Sequence, residues 1–209
     1  MKPERVSIPS GEISLEGVLH LPECKGPFPG VVVTHPHPLY GGDMESNVVL
    51  AVCEALVEKS IAALRFNFRG VGGSGGSYGG GVKEQDDVKA TLDYLSARRE
   101  IDTGRLGLAG YSFGGAVAFA VAQAETRVMA IALVSPALRG EGWEQLAAFG
   151  RPKLVLLGEA DTVVPRAQWQ KYTAQSRDFQ VIPAADHFWW GCEEEIERKV
   201  GQFLGKEFA

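Results

Sequence analysis

The chain has no surplus of positive charge. Its 21 Lys and Arg stand against 26 Asp and Glu, for a formal net charge of -5. That leaves no electrostatic footprint for nucleic acid, and no basic amphipathic stretch suits a membrane surface. Cysteine is scarce. Cys24, Cys53 and Cys192 are odd in number, scattered and without C-x-x-C spacing, so neither a disulfide framework nor a zinc site is indicated. Cys53 sits in a helical apolar pattern and reads as core. Long apolar runs are missing as well: no stretch of about 18 apolar residues is present to span a bilayer. The charged start Met1-Lys2-Pro3-Glu4-Arg5 leads into polar and apolar alternation instead of a signal peptide's apolar core. A cytoplasmic protein with small or neutral partners is expected. With no internal repeat or linker, one domain over residues 1–209 is expected. Nothing here fixes the oligomeric state.

Several short apolar runs alternate with helical patterns. Val6 to Ile8 and Ile13 to Leu21 alternate in character around Pro9-Ser10-Gly11, which predicts an antiparallel hairpin at a sheet edge. Val31 to Val33, Ala62 to Phe66, Val128 to Val134, Lys153 to Gly158 and Phe179 to Ile182 are runs of the kind buried on both faces of a parallel sheet. Helical periodicity covers Asn47 to Lys59, Val82 to Arg99, Trp143 to Phe149, Arg166 to Gln175 and Cys192 to Leu204. Parallel neighbours need long crossovers, so the pattern predicts an α/β fold with a mainly parallel sheet covered by helices on both faces. Functional groups then gather at the carboxyl ends of the strands.

The most specific stretch is Leu106 to Gln123, where an apolar run meets Gly-Tyr-Ser-Phe-Gly-Gly and a small-residue helix. This is a G-x-S-x-G nucleophile elbow, a sharp strand-to-helix turn whose neighbours must be nearly free of side chains. Gly110 and Gly114 supply the clearance. Ser112 then stands exposed at a strand end with the helix amino terminus behind it, where the free N–H of Phe113 meets a developing oxyanion. The plain alternative is a glycine-rich turn with an unreactive serine. A second glycine-rich stretch, Asn67 to Gly81, has eight glycines but no Gly-Lys-Ser/Thr, and fails as a phosphate cradle. It reads as a mobile loop with glycines at positive φ.

The strand-end loops carry, in order, Ser112, Asp161 and His187. A serine hydroxyl is a poor nucleophile until a neutral imidazole accepts its proton, and a carboxylate must orient that imidazole. Glu159 and Asp186 are substitutes for Asp161, which as a turn aspartate has a helix-capping alternative. His187 has a core alternative beside Phe188, Trp189 and Trp190. His35, His37 and Asp43 lie close in sequence, but a metal would need further converging ligands, and the intervening prolines suit a rigid loop better. Cys192 lacks an elbow and is a poor nucleophile candidate.

The segments G-Y-S-F-G-G, L-G-E-A-D-T-V-V-P and A-A-D-H-F-W resemble the nucleophile, acid and histidine segments of the α/β-hydrolase superfamily, and the likeness runs from about Val31 to the final helix. T-H-P-H-P-L-Y-G-G resembles small cap-less hydrolases related to dienelactone-hydrolase-like and peptidase-like esterases. Relatives with His-Gly-Gly at this point have N–H groups where this chain has prolines. The resemblance therefore implies a second oxyanion donor at His37 or Leu39, with His37 preferred and Tyr40 as a further candidate. Only 18 residues separate Val134 from Lys153, where the superfamily carries its cap, so the cap is absent or minimal. The resemblance implies an open pocket walled by Leu39, Tyr40, Trp143, Phe188 and Trp189. It also implies a cofactor-free serine hydrolase acting on a small carboxylic ester of short to medium acyl chain. Thioesterase and small peptidase or amidase chemistry, or a binding protein that keeps the fold without turnover, are the alternatives.

Overall fold

The computed structural model describes residues 3–174 and 176–209. Eight strands form one sheet in the order β1-β2-β4-β3-β5-β6-β7-β8. The amino-terminal pair, β1 (Glu4–Ser10) and β2 (Ile13–His20), is an antiparallel hairpin at the edge, and β2 runs antiparallel to β4 (Ala62–Phe66). From β4 onward all pairings are parallel, through β3 (Phe28–Thr34), β5 (Ile101–Tyr111), β6 (Val128–Val134), β7 (Lys153–Gly158) and β8 (Phe179–Ile182). The α/β architecture read from the sequence is thus the observed one.

Strand β3 is buried along its whole length because both its faces are covered. Val31 and Val33 point to one layer, together with Ala109 and Tyr111 of β5; Val32 points to the other with Leu106 and Leu108. The first layer is closed by α1 (Asn47–Glu58) and α6 (Glu193–Glu207), through Val48, Val52, Leu56, Ile196, Val200 and Leu204. The second is closed by α2 (Lys83–Ser96), α3 (Phe113–Ala124) and the short α4 (Gly142–Ala148). Helix α3 is apolar almost all round. Its C-terminal carbonyls need a donor, and Arg151 supplies one, donating to the carbonyls of Ala122, Glu125 and Val128 while its guanidinium lies over the Phe149 ring.

Two helical expectations are corrected. Helix α2 ends at Ser96, so Arg98 and Arg99 fall beyond it, and Arg98 is drawn away to Glu4 and Glu100. The stretch expected as a helix from Arg166 to Gln175 is a 3-10 turn (Arg166–Gln168) followed by α5 (Gln170–Thr173), with Gln175 outside the described residues. The buried Trp169 between them donates its indole N–H to the Val164 carbonyl and interrupts the helical path.

Among the described residues, no helix is long and apolar enough to cross a membrane.

Candidate active site

Strand β5 runs into α3 through Ser112, whose backbone sits at φ 54 and ψ -116. This left-handed conformation is costly for a residue with a Cβ, and its surroundings hold it there. The Ser112 N–H donates to the Val134 carbonyl at 3.0 Å, while the Ser112 carbonyl accepts from Ala116 and Ala137. The glycines around it are required by contact: a Cβ on Gly110 would lie 2.5 Å from Thr34 Oγ1. One on Gly114 would overlap the carbonyl oxygen of His35 and lie 2.7 Å from the Thr34 carbonyl carbon.

The loops after β7 and β8 bring the other two predicted residues to this turn. Ser112 Oγ lies 2.9 Å from His187 Nε2, and His187 Nδ1 lies 2.8 Å from Asp161 Oδ2. All three side chains are nearly excluded from solvent. Asp161 Oδ1 accepts from the N–H groups of Val163 and Val164, so the carboxylate is held at both oxygens. Burial pushes its carboxyl up, but the His187 and Val164 hydrogen bonds, the nearby imidazole and the Ser135 hydroxyl outweigh it and hold the group below the usual aspartate range. The two substitute acids have other work: Asp186 accepts from the Phe188 and Trp189 N–H groups, and Glu159 is half-exposed and faces Arg166.

Three further side chains support this arrangement, none of them singled out by the sequence. Tyr111 donates its hydroxyl to the His187 carbonyl at 2.6 Å. Asn47 donates to the Phe188 carbonyl and to Glu193 Oε1, joining the histidine loop to the starts of α1 and α6. Ser135, fully buried, accepts from the Trp189 indole N–H at 3.1 Å, and its hydroxyl helps to hold the Asp161 pKa down.

The backbone donors separate clearly. Phe113 is the first residue of α3, where an N–H has no intrahelical partner. On the facing loop, His37 Nδ1 accepts from the Leu39 N–H at 3.2 Å, and the His37 carbonyl accepts from Tyr40 and Gly42. The N–H groups of Leu39 and Tyr40 are therefore engaged, which removes both as free donors. The N–H of His37 has no acceptor among the described residues. With Nδ1 accepting, the His37 ring carries its proton on Nε2, which faces the Tyr78 hydroxyl at 3.2 Å. His35 belongs to the framework: its Nδ1 donates to the Pro36 carbonyl and its Nε2 accepts from the Phe68 N–H.

The glycine loop expected to be mobile is tethered at several points. Gly70, Gly72, Gly76, Gly80 and Gly81 do have positive φ. Yet the buried Glu84 carboxylate accepts from Gly79 and Gly81, and Glu16 accepts from Asn67 and Gly73.

Ser112 and His187 open into a cleft of about 970 Å³, lined by apolar residues of α3 on one side and by Tyr40, Val82, Val163, Phe188 and Trp190 at the mouth. These mouth residues are exposed, Tyr40 at 88% and Trp190 at 74%. Three pocket expectations are corrected. Trp143 is 4% exposed and packs into the core beneath the cleft, its indole donating to Gln168. Trp189 is fully buried on the α1/α6 side, because its φ of 61 turns it away from the mouth and leaves Trp190 there instead. Leu39 is exposed and lies outside the cleft lining. Phe188 and Tyr40 line it as expected.

Burial lowers the pKa of His35 to about 4, so the native state holds it neutral well below the ordinary histidine range. A depressed native pKa means that the unfolded chain takes up a proton first as pH falls. Stability from this group is complete above about pH 6.5 and is lost between there and about pH 4. At pH 5 the loss expected from His35 alone is about 2 kcal/mol. Burial likewise lowers His20 to about 4, so urea titrations at pH 7 and pH 5 check the two together; equal midpoints would show that neither is held neutral.

The model of the X-Pro dipeptidyl-peptidase (S15) family matches residues 11–197. An α/β serine hydrolase homologue from Coxiella burnetii has a similar structure, with 33% identity, TM-score 0.86 and coverage of 97% of each chain. A lidless α/β serine hydrolase from Xanthomonas campestris is also similar, at 29% identity, TM-score 0.82 and coverage of 99% of this chain and 95% of the other. At 20% identity, Est1E from Butyrivibrio proteoclasticus, whose structure holds ferulic acid, shares the fold with TM-score 0.84 over 97% of this chain and 98% of that one. The short link from β6 to β7, which holds only α4, agrees with a fold that has no lid. The chain belongs to the X-Pro dipeptidyl-peptidase (S15) family and has the lidless α/β serine-hydrolase fold.

Proposed function

We propose that the protein hydrolyses carboxylic esters of short to medium acyl chain through an acyl-enzyme on Ser112. The observation that carries this reading is the hydrogen-bonded series from Ser112 Oγ through His187 to Asp161, opening directly into the cleft. His187 takes the serine proton as Oγ attacks the ester carbonyl, and Asp161 orients the imidazole and stabilises its charged form. The N–H groups of Phe113 and His37 hold the oxyanion. His187 returns the proton to the leaving alcohol, then activates the water that releases the acid.

The family match favours a second reading, cleavage of X-Pro peptides. A dipeptidyl-peptidase must hold a free substrate ammonium, and a carboxylate is the natural partner for one. Among the described residues the cleft lining includes no Asp or Glu, which supports the ester reading over the peptide one. The ferulic acid bound to Est1E, which shares the fold, is in keeping with the apolar mouth of this cleft.

Two assays test the proposal together. A fluorophosphonate probe is expected to label Ser112, located by peptide mass spectrometry. p-Nitrophenyl esters of increasing acyl length are expected to turn over best at short to medium length and poorly beyond it. Protein that stays unlabelled and inactive on every ester would refute the hydrolase reading; faster cleavage of an X-Pro-p-nitroanilide than of any ester would favour the peptidase one.

A further inference from the structure

The cleft has one ionic feature that the ester mechanism leaves unused. Of its lining residues, Arg139 alone belongs to the Lys, Arg, Asp and Glu classes. It lies in the short link after β6, where a cap would otherwise begin. Other arginines of the chain are committed: Arg69 to Asp87, Arg98 to Glu4 and Glu100, Arg127 to Asp93 and Glu125, Arg151 to backbone carbonyls. Among the described residues, the Arg139 guanidinium has no ion-pair or hydrogen-bond partner. Its charge does reach the site: after burial, Arg139 is the next cause holding His37 below the usual histidine range.

The position is close to the reacting serine. Ala137 donates its N–H to the Ser112 carbonyl at 2.9 Å, and Arg139 follows two residues later, a backbone span of about 7 Å at most. Amide groups share the lining with it. Gln145 Oε1 accepts from Gln123 and Gln168 Oε1 accepts from Trp143, which leaves the Nε2 groups of Gln145 and Gln168 as further donors on the lining. Ala116, Val117, Phe119 and Ala120 of α3 add an apolar stretch to the lining. A neutral ester would leave the guanidinium and these donors facing only water. A ligand with an ionised acid beyond an apolar stem would satisfy them.

We propose that Arg139 is an anion-recognition point in this cleft, and that the substrate is an ester carrying a second, free carboxylate. The proposal rests on the hydrolase reading for the word ester, but the anion site can be tested without turnover. Calorimetry would compare 4-phenylbutyrate with 4-phenylbutanol, two ligands of like shape that have no bond to cleave. The carboxylate is expected to bind about 10-fold more tightly to the wild type. The preference should shrink in high salt, disappear in Arg139→Gln and survive in part in Arg139→Lys. Turnover of mono-p-nitrophenyl adipate relative to p-nitrophenyl hexanoate should follow the same order.

Equal binding of the two ligands by the wild type would overturn the proposal. So would a carboxylate preference that persists in Arg139→Gln, since the acid would then be held elsewhere, at the Ser112 turn for example. A preference abolished by Arg139→Gln in a protein that cleaves no ester would uphold the anion site while the hydrolase reading fails. Ester turnover with no carboxylate preference would do the reverse.

Discussion

Ser112→Ala is expected to lower kcat on p-nitrophenyl butyrate by about 10⁴-fold or more, and Asp161→Asn by roughly 10⁴-fold, both without loss of fold. The first removes the only oxygen at the turn that can form the acyl bond. The second is the sharper test. An asparagine keeps Oδ1, so the bonds from Val163 and Val164 survive and the loop stays in place. It replaces Oδ2, now 2.8 Å from His187 Nδ1, with an amide nitrogen. A donor at that point demands the tautomer with Nδ1 unprotonated, which puts the ring proton on Nε2 and leaves His187 unable to accept from Ser112. Circular dichroism and stopped assays on purified variants check the pair. Activity of Asp161→Asn within tenfold of the wild type would mean that the carboxylate does not orient the base.

The second large effect lies in packing. Gly114→Ala is expected to cost about 3 kcal/mol or more and to lower the melting temperature by about 6–12 °C. The new methyl group would overlap the His35 carbonyl, and neither side can yield. His35 is anchored through its ring to Pro36 and Phe68, and α3 is wedged under the sheet. Gly150→Ala is the control, because a Cβ there meets nothing within 4 Å. Similar melting curves for the two variants would show that the close approach of β3 and α3 is dispensable.

Much of this architecture could be read from the chain because its strands are unusually plain. The bounds of β4, β6, β7 and β8 coincide with apolar runs set off by polar or glycine residues, and a strand buried on both faces leaves little else for such a run to be. The order of Ser112, Asp161 and His187 along the chain was equally visible, as was the missing cap. What escaped was direction. In Phe188-Trp189-Trp190, composition offers three equivalent aromatics, but a positive φ at Trp189 sends it into the core and its neighbours to the mouth. Hydrogen-bond partners far apart in sequence escaped too: Tyr111 meets residue 187, Asn47 meets residue 188 and Ser135 meets residue 189. That the Leu39 N–H is captured by the His37 ring nitrogen while the His37 N–H is left free is likewise encoded by no spacing rule.

Asn47 has a consequence for the timing of synthesis. It sits at the head of α1, yet two of its partners, the Phe188 carbonyl and Glu193, come from the last quarter of the chain. The serine turn draws on β3, β5, α3, β6 and the Ala137 N–H, all made by residue 137. The histidine loop rests on Tyr111 and Ser135, made earlier, and on Asn47, which Glu193 at the start of α6 also engages. In the order of synthesis the serine therefore precedes its histidine by 75 residues. The growing chain is without the base for its serine until all eight strands have been made.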